Sequence, residues 1–145
     1  MMANDEYRTP QQAARDAGLA ARHETRVERA IARNPDACVF CARISRGEYD
    51  KDQPGFTFEP LNPVVPGHRL FVSPQHVVDA STNPDVTAKV FAAAAEYARR
   101  QGDDFNLITS GGADATQTVF HLHVHYVPRD EGDALTLPWT GQETS

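Results

Sequence analysis

His121, His123 and His125 alternate with the apolar residues Leu122 and Val124. Successive side chains of a strand point to opposite faces, so the three imidazoles would share one side of a strand. The other side would carry the apolar residues and face a core. Imidazole changes charge near neutral pH and can serve as nucleophile, acid–base group or metal ligand. The pattern therefore predicts a functional strand, which we place over residues 118–127.

A second candidate site combines two cysteines with two histidines. Cys38 and Cys41 form a Cys-x-x-Cys pair, and in a reducing compartment such thiols more often hold a metal or do redox chemistry than form a structural disulfide. With His76 and His121 they would make a Cys2His2 set, which suits tetrahedral zinc. The spacing alone does not exclude the alternative, in which the two cysteines are buried thiols and the histidine after the strand is exposed, without a metal.

A catalytic metal held by all three alternating histidines is a further alternative. Alternate residues of one strand would spread these side chains over about 13 Å, which is too far for a single ion. The motif also contains no carboxylate. We therefore favour histidine chemistry without a catalytic metal.

The composition limits the classes of protein to consider. The chain has 145 residues, 40% hydrophobic and 23% charged, with a net charge of −6, which is ordinary for one globular domain. It lacks a Lys/Arg cluster, so we expect no nucleic-acid partner. It also lacks an apolar run of about 18 residues, so we expect no membrane span. The polar start has no apolar signal-peptide core, which predicts a cytoplasmic protein.

Residues 1–35 are polar and rich in alanine and arginine, and we interpret them as a helical or partly disordered N-terminal extension. Thr9 would cap a helix with Pro10 in its first turn. A narrow apolar stripe at helical spacing continues from there. Its members are Ala17, Ala20, Val27 and Ile31. The helix would end at Asn34-Pro35, and His23 has no predicted role.

Residues 36–145 read as the catalytic domain. Short apolar runs predict strands at 55–59, 69–73 and 105–109, besides the histidine strand. One long helix would begin after Asn83, with Pro84 in its first position, and end at Gly102. Its apolar stripe is Val86, Val90, Ala94 and Tyr97. This order of elements predicts an α+β fold, an antiparallel sheet covered by one long helix.

Together these motifs resemble the histidine triad (HIT) family of nucleotide hydrolases and transferases. Residues 121–127 match the family's His-φ-His-φ-His-φ-φ pattern, in which φ is apolar, and 63–68 match its upstream histidine segment. Residues 117–121 look like its phosphate-contacting loop. Residues 38–44, followed by Gly47-Glu48, look like the opening of the zinc-containing bacterial members. The match covers about residues 36–130.

The resemblance implies roles for four histidines. His123 would be the nucleophile that attacks the α-phosphorus and forms a nucleotidyl-histidine intermediate. The backbone carbonyl of His121 would accept from Nδ1–H of His123 and leave Nε2 free to attack. His125 and His68 would neutralise phosphate oxygens and assist the leaving group.

The resemblance also implies residues that bind the substrate. Gln117 and Thr118 would donate hydrogen bonds to the phosphate. Ser110 stands where the family usually carries Asn or Gln. Pro60 stands where the family commonly has an acidic or amide residue for the ribose, a role that Asn62 or Glu59 could take over.

The same resemblance implies a structural zinc ion bound by Cys38, Cys41, His76 and His121, without an organic cofactor. It also implies a homodimer formed through the long helix and a paired strand. The predicted activity is hydrolysis or transfer at the α-phosphate of a nucleoside phosphoramidate or dinucleoside polyphosphate. The alternative is a nucleotide-binding or adaptor protein of low activity, which Pro60 and Ser110 keep open.

Overall fold

The computed structural model describes residues 9–19 and 37–141. Helix α1 covers residues 10–19. Thr9 caps it as predicted, since its Oγ1 accepts from the Gln12 backbone N–H at 3.2 Å and the Gln12 side chain accepts from the Thr9 N–H at 2.9 Å. The rest of the predicted stripe, His23 and the Asn34-Pro35 end lie outside the described residues. The domain boundary at residue 35 therefore stays a prediction.

Four antiparallel strands form one sheet. They are β1 (Phe56–Phe58), β2 (Arg69–Val72), β3 (Asp104–Ile108) and β4 (His123–Arg129). The spatial order is β1-β2-β4-β3, so β4 is central although it comes last in the chain. The predicted α+β class with an antiparallel sheet is confirmed.

The long helix, α3 (Pro84–Gln101), has the predicted ends. The Asn83 side chain accepts from the backbone N–H groups of Asp85 and Val86 at 3.2 and 3.3 Å, which satisfies donors that a helix start leaves free. Gly102 adopts the left-handed conformation with φ 75° and ends the helix. Helix α2 (Val39–Ser45) occupies the segment predicted as a short helix or turn.

The two faces of the sheet have separate apolar clusters. On one face, α3 packs on strand residues that include Phe71, Val124 and Tyr126. The opposite face carries a second cluster made by Phe40 of α2 with β1 and β2. Its members are Phe40, Phe58, Leu70 and Val72. The long helix thus covers one face as predicted, and α2 covers part of the other.

The register places the histidines on the α2 face. His123 lies opposite Val72 and His125 opposite Leu70, and directly opposed residues of an antiparallel pair share a face. Leu122 and Val124 are fully buried against the α3 side. The predicted alternation between an imidazole face and a core face is therefore present.

The bounds of the histidine strand differ from the prediction. Strand β4 begins at His123 rather than at residue 118. Leu122 donates its N–H to the Val77 carbonyl at 2.7 Å and accepts from the Ser73 N–H at 3.2 Å. Because β2 has ended at Val72, the segment before His123 bonds to the loop beyond β2 instead of continuing the β2–β4 ladder.

Candidate active site and metal centre

The backbone just before β4 orients the His123 ring. His123 is 8% exposed, and its Nδ1 lies 2.7 Å from the backbone oxygen of His121. A carbonyl can only accept, so Nδ1 carries the hydrogen and Nε2 keeps a free lone pair. The Phe40 ring meets the His123 ring edge-on, with centroids 5.2 Å apart, and fixes its orientation.

A chain of hydrogen bonds sets the protonation of the neighbouring pair, His68 and His125. The Val64 N–H donates to Nδ1 of His68 at 3.1 Å, so Nε2 of His68 carries the hydrogen. That nitrogen lies 2.9 Å from Nδ1 of His125, which must accept. His125 is left with an Nε2–H donor, in a ring whose centroid lies 5.1 Å from that of His123.

Burial keeps these imidazoles neutral. Loss of hydration lowers the pKa values of His68 and His123 below the ordinary 6.5. The pKa of His125 falls to about 4, first through burial and then through the neighbouring His123 and His68. At pH 7 the site therefore holds uncharged imidazoles, His123 with a free lone pair and His125 with an N–H donor.

The two cysteines and two histidines of the predicted metal site come together. Nδ1 of His121 lies 3.4 Å from Sγ of Cys38 and 3.5 Å from Sγ of Cys41. Nδ1 of His76 lies 3.2 Å from the Cys41 sulfur. The four donor atoms all lie within 4.8 Å of one another, which fits the tetrahedral shell of zinc.

The second nitrogen of His121 supports this reading. Nε2 lies 2.7 Å from the Ser73 carbonyl and 3.1 Å from the Ser73 hydroxyl. The carbonyl requires a hydrogen on Nε2, so the Nδ1 lone pair faces the thiols, as a metal ligand must. Burial also lowers the pKa of His121 to about 4.

The three alternating histidines thus divide between two sites. Within residues 9–19 and 37–141, the group with metal-binding geometry contains His121 but neither His123 nor His125. The alternative of one catalytic metal bound by all three has no support in this arrangement.

A cavity of about 270 Å³ opens beside the His68–His125 pair. Ser110 and Thr116 line it from the loop before β4, and Leu135 and Leu137 line it from the C-terminal segment. Thr116 was not singled out from the sequence, because one threonine in a loop of small residues gives no signal. Thr118, a predicted phosphate donor, is exposed close by in the chain.

Gln117 has a different role from the one predicted. Its Nε2 donates to the carbonyls of Val78 at 2.7 Å and Val119 at 3.1 Å, and its Oε1 accepts from the Gly112 N–H at 2.8 Å. No amide hydrogen is left to donate to a phosphate. We therefore assign Gln117 to the shape of the loop that holds Ser110 and Thr116.

An ion pair fixes the C-terminal wall of the cavity. Arg129 contacts both carboxylate oxygens of Asp133, at 2.7 and 3.0 Å, and also donates to the Leu135 carbonyl at 3.1 Å. Arg129 holds the pKa of the Asp133 carboxyl well below its usual range. Sequence reasoning missed this pair because Arg129 ends β4 and Asp133 stands in the turn after it, where charged residues are common.

The predicted ribose contact is not brought to the histidines. Asn62 is exposed on the loop between β1 and β2, and neither Asn62 nor Pro60 lines the cavity beside His125. How Asn62 meets a substrate stays a prediction.

The family model described as HIT domain matches residues 51–132. The chain belongs to the HIT domain family. The solved structure of a zinc-bound histidine triad protein from Mycobacterium smegmatis is 33% identical to this HIT chain, with a TM-score of 0.61 over 71% of this chain and 82% of that one. The predicted family is confirmed.

Two curated relatives of this HIT chain carry enzyme names. Adenylylsulfatase HINT3 from Arabidopsis thaliana is 36% identical over 68% of this chain. The matched part spans only 55% of the length of that relative. Adenosine 5′-monophosphoramidase HNT1 from Saccharomyces cerevisiae is 29% identical over 74% of this chain and 73% of its own length. Both names agree with the predicted HIT-type hydrolase.

The lowered pKa of His125 gives a pH test of this site. An unfolded His125 titrates near 6.5, whereas the folded one titrates at about 4. The unfolded chain therefore binds the extra proton between these values, and the free energy of unfolding should fall as the pH drops from 6.5 towards 4. His125→Asn, which cannot titrate, should show a shallower fall. Urea unfolding at pH 7.5, 6.0 and 5.0 measures how the free energy of unfolding of each protein changes with pH. Equal slopes for wild type and His125→Asn would contradict a lowered pKa of His125.

Proposed function

We propose that this chain hydrolyses nucleotides, or transfers them, by attack of His123 on the α-phosphorus of a nucleoside phosphoramidate or dinucleoside polyphosphate. The observation that carries the proposal is the 2.7 Å contact between Nδ1 of His123 and the His121 carbonyl. It commits one ring nitrogen and leaves the other as a nucleophile. Covalent catalysis of this kind divides one difficult displacement into two easier ones.

In the first step, the lone pair on Nε2 of His123 forms a bond to phosphorus. With a phosphoramidate, the bond from phosphorus to the departing nitrogen breaks, and its electron pair stays on that nitrogen. The bound anion raises the proton affinity of the His68–His125 pair. The pair therefore takes up one proton in addition to the two N–H hydrogens of its neutral rings. His125 gives this proton to the departing nitrogen, which leaves as a neutral amine.

In the second step, water attacks the phosphorus of the nucleotidyl-histidine. The neutral His125 takes a proton from that water, and the bond between phosphorus and Nε2 of His123 breaks with its electron pair returning to the ring. The products are a nucleoside monophosphate and a neutral His123, still hydrogen bonded to the His121 carbonyl.

The choice of substrate rests on the relatives and on the cavity. The names of both relatives specify an adenylyl or adenosine 5′-monophosphate group. In this chain, the His68–His125 pair with one added proton, rather than a cluster of lysines and arginines, would face the phosphate position. A singly linked α-phosphate suits this arrangement better than a long polyphosphate. We therefore favour the phosphoramidate within the proposed class.

Hydrolysis of adenosine 5′-monophosphoramidate tests this proposal. We expect His123→Ala to lower kcat/KM by about 10⁶-fold, the scale found when a covalent nucleophile is removed. Unfolding curves should show that the variant remains folded. Acid quench and intact-mass measurement should detect a nucleotidyl adduct on wild-type protein only. Activity measured immediately after EDTA addition should persist.

Two alternative functions, a binding or adaptor role and metal catalysis, predict different results in that experiment. Tight binding of AMP without turnover by wild-type protein would favour the nucleotide-binding or adaptor role. Immediate loss of turnover with EDTA, while the fold persists, would favour a catalytic metal.

We also propose that the Cys38–Cys41–His76–His121 set binds zinc. The donor set and its distances support this, as does the zinc-bound mycobacterial structure. Zinc would act there as a structural cross-link between α2, the loop after β2 and the start of β4. It takes no part in the displacement. A cytoplasmic location, which we also propose, would keep both thiols reduced.

Removal of one thiol tests the zinc site. Cys41→Ser should abolish the one zinc ion per chain and lower Tm by about 10 °C or more, because metal binding contributes directly to folding. His123→Ala is the matched control and should keep its zinc. Elemental analysis of purified proteins with thermal unfolding measures both. Metal-free wild-type protein from zinc-supplemented medium would contradict the proposal.

We propose a homodimer through β3 and the outer face of α3. Strand β3 is an edge strand, with Phe105 43% exposed, and an unpaired edge can pair with a second copy. Exposed Ala88, Ala92 and Ala95 on α3 would allow a second helix to approach closely.

A bulky charge on that helix face tests the dimer. Ala92→Arg should halve the mass measured by light scattering, because the side chain would separate the two helices. Glu131→Arg, on an exposed turn, is the control and should stay dimeric. A monomeric wild-type protein, or a dimeric Ala92→Arg, would overturn the proposed interface.

A further inference from the structure

Thr116 adopts a backbone conformation that threonine rarely takes. Its φ is 67°, in the left-handed region. Within residues 9–19 and 37–141, the only other non-glycine residue with positive φ is Ala134. A β-branched side chain in this region crowds its own backbone, so such a residue marks local strain. Glycine would adopt the same conformation without strain.

The loop around Thr116 imposes this conformation. The Thr116 N–H donates to the Ala113 carbonyl at 3.0 Å. Gln117 closes the loop twice on Gly112, by its N–H to the Gly112 carbonyl at 3.1 Å and by its side chain to the Gly112 N–H at 2.8 Å. Strain that the surroundings impose in this way tends to occur at functional sites.

The surroundings of Thr116 point to a ligand. Thr116 lines the cavity that also contains His68, His125 and Ser110. The residue is exposed, and within the described part of the chain its hydroxyl has no hydrogen-bond partner. A free hydroxyl is thus held at the edge of the catalytic pair at the cost of backbone strain.

The position of the cavity identifies which part of a substrate it would meet. The His123 ring lies against the rings of Phe40 and His125, with centroid distances of 5.2 and 5.1 Å. The cavity is lined by His125 but not by His123. In an in-line displacement the leaving group departs on the side opposite the nucleophile. Since His125 is the proposed proton donor to that group, the cavity beside His125 is where the leaving group would lie.

We propose that Thr116 is a specificity-determining residue that contacts the departing amine of a phosphoramidate. This inference rests on the proposed function. The hydroxyl oxygen accepts a hydrogen bond from an N–H of the amine, and Thr116 exchanges no atoms in either step. The apolar side chains of Val64, Leu135 and Leu137 line the same cavity. The favoured leaving group is therefore a primary amine that carries an apolar substituent.

Three variants test the contact, with adenosine 5′-monophosphoramidate and its N-propyl derivative as substrates. Thr116→Ser keeps the hydroxyl and Thr116→Ala removes it, while both remove the same methyl group. Thr116→Gly also relieves the backbone strain. We expect kcat/KM of Thr116→Ala to be about tenfold below that of Thr116→Ser, the effect of one hydrogen bond.

Two further readouts separate substrate contact from a structural role. The inhibition constant of AMP, which lacks the amine, should be the same in Thr116→Ser and Thr116→Ala, whereas a distorted site would change it together with kcat/KM. Thr116→Gly should be more stable than wild type, with Tm raised by about 3 °C, yet as impaired as Thr116→Ala.

The possible failures can be told apart. No turnover by wild-type protein would overturn the proposed function and this inference with it. Normal wild-type turnover with equal kcat/KM in Thr116→Ser and Thr116→Ala would overturn the inference alone. A parallel change in AMP inhibition would also overturn it, since the loop would then act only through its shape.

Discussion

The hydrogen bond from the His123 ring to the carbonyl of His121 is the interaction on which the site depends. It joins two groups of the same short segment, so a correct backbone at residue 121 is enough to orient the proposed nucleophile. The side chain of His121 is itself held by Ser73 and by the two cysteines. His121 thus connects the metal-type cluster to the reactive ring, although it does not touch the substrate in the proposed mechanism.

A second constraint is the dry environment of the imidazoles. Burial against Phe40 and the sheet favours their neutral forms, and neutrality gives His123 a free lone pair. The same burial would disfavour an anionic substrate, unless hydrogen-bond donors replace the water that it loses. The N–H of His125, fixed through His68 and Val64, is such a donor.

Much of this arrangement could be predicted from sequence, because local rules decide it. Side-chain alternation placed the histidines on one face, and Asn83 and Gly102 marked the ends of α3. The start of β4 could not be predicted, because it depends on where β2 ends and on the pairing of Leu122 with distant loop residues. Periodicity is the same whether a segment is paired in a ladder or bonded to a loop.

The contacts of Gln117 and the backbone conformation of Thr116 could not be predicted either, because both depend on residues outside the local sequence pattern. The hydrogen bonds of the Gln117 amide reach Val78 and Gly112, and no local pattern records them. The left-handed backbone of Thr116 follows from closure of its loop. By contrast, the four donors of the Cys2His2 set could be predicted from sequence, because the family resemblance indicated which cysteines and histidines belong together.

The sheet order also has a consequence for biosynthesis. Strand β4 lies between β2 and β3, yet of these four strands it is the last to leave the ribosome. Until residue 129 has cleared the exit tunnel, the earlier strands lack the neighbour that joins them. Their backbone edges would then be open to other nascent chains. His123 and His125 therefore reach the sheet in the same event that joins its strands, and a product truncated before β4 would lack both the joined sheet and these histidines.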